Sequence, residues 1–210
     1  MLFRSLNPSY PAARRRYASY LYGSGRSDES LVQLTMAQTD DPLSAWISSN
    51  IGFALYFARR YDDAIEQLHD TLEMEPHFAL GCCFLGLALE QKTMFAEATA
   101  EFQKAISLSG GKPVYLAALA HAYALSGREA EARGVLAELE IHSKHKYVPA
   151  YETAVIYAGL QEPEQAFAWL ERAYEERGGW IGYFKVDPRL DSLRSDERFR
   201  TLLRRIGLPE

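Results

Sequence analysis

The sequence predicts an all-α chain built from antiparallel helix pairs stacked one after another. Three observations carry that expectation. Small residues recur every 34 positions, at Ala18, Gly52, Gly86, Ala120 and Ala154. A second small site lies twelve residues further on in each unit, at Ser30, Ala64, Ala98, Ala132 and Ala166. Four residues after that comes a large apolar side chain every time: Leu34, Leu68, Phe102, Leu136 and Leu170. A fixed period of this length marks a repeat architecture whose unit is one supersecondary element.

The glycine in "CFLGLALEQ" explains why the small sites recur. Gly86 costs a helix roughly 1 kcal/mol relative to alanine, so its presence calls for a gain in packing. Small side chains facing each other let the two helices of a hairpin approach closely. The large residues are then expected to fill the groove against the next pair.

Taken in order, the chain divides into three parts. Residues 1–10, with "MLFRSLNP", align with the end of a second helix whose own first helix is missing. They read either as the remnant of a longer array, which we favour, or as an amino-terminal cap, with Leu2, Phe3 and Leu6 packing on the first full unit. Five units follow over 11–180, beginning near Pro11, Ala45, Ala79, Pro113 and Tyr147. Each carries two helical patterns split by a short polar break such as "SGR" or "ARRYD". Residues 181–210 leave the repeat and form a carboxyl-terminal capping segment with a helix near 195–206. Ser195 is expected to cap it, with Asp196 and Glu197 in the first turn. Phe199, Leu202, Leu203 and Ile206 share one face, and Gly207 stops the helix. That face should cover the end of the fifth unit while the arginines face water.

Composition excludes several classes. With 48% hydrophobic and 24% charged residues the 210-residue chain is globular in type. A net charge of −5 offers no general attraction to nucleic acid or anionic membrane. No apolar run approaches the ~18 residues that span a bilayer, and the opening "MLFRSLNPSYPAARRRY" lacks a secretory pattern. Cys82 and Cys83 are adjacent and point about 100° apart on a helix, which does not suit a disulfide. They fit a reducing, cytoplasmic setting.

Catalytic and metal-binding patterns are largely missing. The sequence contains no G-x-S-x-G, H-E-x-x-H, P-loop or complete G-x-G-x-x-G. His142 and His145 in "HSKH" share a helical face but have no evident third metal ligand. Arg14, Arg15 and Arg16 interleave with tyrosines, yet three consecutive helical residues point in three directions and form no nucleic-acid stripe. No enzyme activity, cofactor or metal is expected.

The small, aromatic and proline sites at a 34-residue period resemble the tetratricopeptide repeat (TPR), from Pro11 to about Trp180. The family's first-helix tryptophan is replaced by Arg14, Ser48, Cys82, Leu116 and Ala150, and its closing proline survives at Pro42 and Pro76. The segment "AYEERGGWIGYFKVDPRLDSLRSDERFRTLLRRIGLP" looks like the end of TPR arrays that accompany bacterial winged-helix regulators, Ser/Thr kinases and cyclases. The resemblance implies a right-handed superhelical α-solenoid whose first helices line a concave groove. It also implies a bacterial signalling or regulatory setting.

On that reading the groove-facing positions include Arg15 and Tyr22 from the first unit. Trp46, Ser49, Phe53, Tyr56 and Phe57 come from the second, Leu80 and Glu90 from the third, His121 from the fourth and Tyr151 from the fifth. Arg15 and Asn50 supply part of the family's clamp for a peptide carboxylate, but Leu80 and Phe84 stand where basic residues would complete it. The expected function is a non-enzymatic scaffold binding a peptide or helical segment of a protein partner through aromatic anchors. The alternatives are a ligand-sensing domain detached from a kinase or transcription regulator, and self-association through the amino-terminal end.

Overall fold

The computed structural model describes residues 10–144 and 147–208, which contain helices and no strands. Helix α1 (Pro11–Gly23) pairs with α2 (Ser27–Asp40), α3 (Ala45–Phe57) with α4 (Tyr61–Met74), and α5 (Ala79–Gln91) with α6 (Phe95–Ser109). Helix α7 (Pro113–Leu125) pairs with α8 (Glu129–Ser143), and α9 (Ala150–Gly159) with α10 (Pro163–Glu176). Two 3-10 helices, Gly179–Tyr183 and Pro188–Leu193, precede a final α11 (Glu197–Ile206). The hairpins stack in chain order, so the architecture is an α-solenoid. The partial unit read in residues 1–10 falls, except for Tyr10, outside the described residues, as does His145.

Every hairpin closes in the same way. A left-handed residue stands at Gly25, Arg59, Thr93, Gly127 and Gln161, with φ between 59° and 82°. The next amide donates to a carbonyl five residues back, as Arg60 N does to Leu55 O and Met94 N to Leu89 O. This Schellman closure satisfies the last carbonyls of the first helix and fixes the reversal.

Packing explains Gly86 more specifically than close helix approach does. A Cβ there would lie 2.6 Å from the Phe102 ring, and one on Gly52 would lie 2.5 Å from Leu68. Both large residues are fully buried. To the expected filling of the groove against the next pair, the structure adds a contact inside the hairpin. Each presses into the glycine notch of its own hairpin. In the first hairpin the second small site also bonds, Ser30 Oγ donating to Ala18 O at 3.0 Å.

The junction of the fourth and fifth hairpins departs from the pattern. The register places the start of α9 at Tyr147, yet the helix begins at Ala150 behind Pro149. The residue before a proline is pushed out of the helical region, so the first turn is lost. Helix α9 consequently leans on α7 and touches α8 only lightly. Leu136 is left half-buried, lining an opening of about 540 Å³ with Val148, Tyr157 and Trp169.

After α10 the chain reverses through Arg177, at φ 50°, and Gly178. It returns across the first helices of the hairpins instead of continuing past the fifth. Phe184, Leu190 and Leu193 enter the core of the fifth hairpin, while Tyr183 reaches the first two. Helix α11 packs on α10 through Phe199, Leu202 and Leu203. Its N-cap is Asp196, which accepts from Arg198 N at 2.8 Å, and not Ser195. Its arginines do more than face water. Arg198 lies 4.2 Å over Phe167 and Arg205 4.6 Å over Tyr174, and they pair with Glu164 and Glu171.

Candidate protein-docking site

Helices α1, α3, α5, α7 and α9 lie side by side and present one continuous inner face. The open aromatic groove expected there is filled by the chain's own tail. Tyr183 enters between hairpins one and two, its ring parallel to Phe57 at 5.5 Å and stacked on Tyr22 at 5.9 Å. Gly23 makes this approach possible, because a Cβ there would sit 3.2 Å from both Gly182 O and the Tyr183 ring. Phe53 continues the stack, its ring parallel to that of Phe84 at 3.9 Å. Arg59 and Asp191 close the edge with an ion pair at 2.6 Å.

Further along, the tail buries charge. Asp187 and Arg189 are both enclosed and pair at 2.7 Å. Tyr151 donates to Asp187 Oδ2 at 2.5 Å, whereas Tyr56 reaches Oδ1 only at 3.5 Å. Burial opposes the Asp187 carboxylate, but the Arg189 guanidinium and the Tyr151 hydroxyl outweigh it and hold its pKa below the usual range. Burial and then Asp187 push the Tyr56 and Tyr151 hydroxyls well above the ordinary tyrosine value. Glu152 is buried with neither carboxylate oxygen hydrogen-bonded. Burial raises its pKa to about 7, against the pull of Arg189 and with a smaller push from Asp187. Glu90 and His121 are also enclosed, with Oε2 and Nδ1 3.0 Å apart.

The groove-facing residues therefore divide sharply. Tyr22, Phe53, Tyr56, Phe57 and Tyr151 are buried by the tail or by one another. Ser49 and Asn50 turn back to their own helix, both donating to Trp46 O, and Asn50 Oδ1 accepts from Tyr22. Glu90 and His121 are internal. Arg15, Trp46 and Leu80 stay at the rim. The Trp46 ring is 54% exposed, with the Arg15 guanidinium 5.7 Å from its centre and Phe78 edge-on at 5.2 Å.

Sequence reasoning missed Tyr183, Asp187, Arg189 and Glu152. The only local signal was "DPR", which reads as a capped turn: Asp187 accepts from Arg189 N at 2.9 Å. Among the described residues no three His, Cys, Asp or Glu side chains gather to hold a metal, and no helix is long and apolar enough to cross a membrane.

No family model matches this sequence, and no curated relative does. Solved structures do. A TPR protein of Thermus thermophilus, TTC0263, superposes with a TM-score of 0.65 at 16% identity, over 95% of this chain and 100% of that one. The Cut9–Hcn1 hetero-tetramer of the APC/C gives 0.67 at 14% identity, over 97% of this chain and 44% of the other. YrrB, described as a TPR protein with an unusual peptide-binding site, gives 0.51 at 17% identity, over 87% and 94%. The chain has the tetratricopeptide-repeat fold.

Proposed function

We propose that the chain is a non-enzymatic scaffold that docks a segment of another protein on the amino-terminal part of its inner face, in a bacterial signalling or regulatory setting. The observation that carries this is the Trp46 rim. A large aromatic ring stays half-exposed there, flanked by Arg15 and steadied by Phe78. Tryptophan and arginine are the residues most often found to dominate protein interfaces. The peptide-binding site named for YrrB and the assembly of Cut9 with Hcn1 supply analogy for the fold. Cys82 and Cys83 are buried and free, which suits a reducing compartment.

The test is capture of partners from the source cell by the parent and by Trp46→Ala. The variant is expected to lose capture while its stability stays within about 1 kcal/mol, because the ring is not core. Undiminished capture by Trp46→Ala overturns the reading. One observation favours a second reading, a small-ligand sensor: the opening beside Trp169 falls in the size range of ligand sites. Saturable change in Trp169 emission on metabolite addition, lost in Leu136→Arg, is its signature.

A further inference from the structure

The tail grips the array with two unequal faces. Toward the fifth hairpin, Phe184, Leu190 and Leu193 are fully buried, and Asp187 and Arg189 are enclosed beside Tyr151. Toward hairpins one and two the contact is lighter. Tyr183 and Val186 are half-buried there. The Arg59 and Asp191 side chains that close the edge remain 38% and 45% exposed. The one hydrogen bond that links hairpin two to the buried carboxylate, from Tyr56, is stretched to 3.5 Å. Hairpins one and two can therefore part from the tail without unseating it from the fifth.

What such parting uncovers has a definite chemistry. Tyr22, Phe53 and Phe57 form an aromatic pocket shaped around a ring. Arg59 stands at one side, released from Asp191. Arg15 stands at the other, its guanidinium 5.7 Å from the centre of the Trp46 ring and close enough for its charge to act on the Tyr22 hydroxyl. Three rings between two cations favour an incoming ring that brings carboxylates with it.

We infer that the tail is a resident stand-in for a partner. Tyr183 and Asp191 occupy the seats that an acidic, aromatic segment of another protein takes when it docks. This rests on the docking function proposed above and narrows it to a chemical class and a competition. A tethered occupant is present at an effective concentration of the order of millimolar. The partner displaces it by adding contacts that the tail does not make, at Trp46 and Arg15.

The probe is a labelled peptide of residues 178–194, added to the full chain and followed by fluorescence polarisation. Weakening the cis occupant with Tyr183→Ala and Asp191→Ala is expected to tighten peptide binding at least tenfold over the parent. Adding Arg59→Glu to that variant removes the gain. Trp46→Ala, which partner capture requires, leaves peptide binding within about twofold, so failure of the docking function and failure of the competition are read separately. Equal binding by parent and weakened chain, or binding indifferent to Arg59→Glu, overturns the inference. Hydrogen exchange on the unaltered parent gives an independent reading should the variant not fold. The amide of Val186, which bonds to Tyr183 O, is expected to exchange at least tenfold faster than those of α5. Exchange at the rate of α5 shows that the segment opens only with the whole fold, and overturns the proposal.

Discussion

One short segment, residues 179–193, meets two halves of the same solenoid on different physical terms. Against hairpins one and two it offers a half-buried ring, a valine and an exposed ion pair. Against hairpin five it buries a carboxylate and a guanidinium completely. The first contact is additive, each group contributing its own area or charge. The second is conditional: a buried ion pair is tolerable only while both members and their hydrogen bonds stay in place. The difference teaches that the tail is anchored at one end and adjustable at the other.

The largest expected effect breaks the anchored end. Arg189→Met leaves Asp187 enclosed with only the Tyr151 hydroxyl and the backbone amide of residue 189 as strong partners, and no positive charge beside it. Removing one member of a buried pair costs about 3–5 kcal/mol, read as a lowered urea midpoint. Adding Asp187→Asn should recover part of the loss, because the uncompensated charge goes with it. A loss below about 1 kcal/mol for Arg189→Met would place this pair among surface pairs and erase the contrast.

A pH titration sharpens the same contrast. Glu152 lies in the anchored region, and burial lifts its pKa to about 7 from the 4.5 of an ordinary glutamate. The folded state thus holds this proton more tightly than the unfolded chain does. Its contribution favours folding most below about pH 4.5, declines as pH rises toward 7, and is flat beyond. Asp187 has the opposite sign, since its pKa is lowered, and acts only in the acid range below that of an ordinary aspartate. Between about pH 5 and 8 Glu152→Gln should flatten the dependence and stabilise the chain at the upper end by about 1–3 kcal/mol. An unchanged slope in the variant would mean that Glu152 ionises normally.

These regions also differ in how legible they are from the sequence. The hairpins are readable because packing restricts the same positions in every unit: Ala18, Ala120 and Ala154 have no exposed surface, and Gly52 and Gly86 have no room for a Cβ. The left-handed turns are half readable. Gly25 and Gly127 announce them, whereas Arg59, Thr93 and Gln161 adopt the same conformation without a local signal. The resemblance to the repeat family also implied that Phe53, Tyr56 and Phe57 lie on the inner face. It carried no information about what covers them, because Tyr183 reaches Phe57 by a long-range return that leaves no periodicity. The pairing of Asp187 and Arg189 reads locally as a capped turn, and only the return path makes it a buried charge. Pro149 was visible, but its effect, a missing turn and a half-buried Leu136, depends on how lightly α8 and α9 then touch.

At the adjustable end the effects should be smaller and ranked by burial. Tyr183→Ala removes a ring that stacks on Tyr22 and Phe57 but stays partly in water. Its cost is expected at about 1–2 kcal/mol, with the loss of hydrogen-exchange protection confined to α1, α3 and the tail. A loss spread evenly into α9 and α10 would show the two ends to be one cooperative unit.

Asp191→Ala should give the smallest change. Its pairs with Arg59 and Arg194, each at 2.6 Å, lie where water and salt screen them. Exposed pairs contribute about 0–1 kcal/mol, and about 0.5 M salt should erase even that, given a Debye length of roughly 4–5 Å at that ionic strength. Thermal melts of parent and variant at low and high salt decide the matter. Convergence of the two curves at high salt makes the Arg59 contact a steering charge that a competing carboxylate can take over. A salt-independent loss comparable with that of Arg189→Met would instead make it part of the anchor, and the adjustable end would no longer exist.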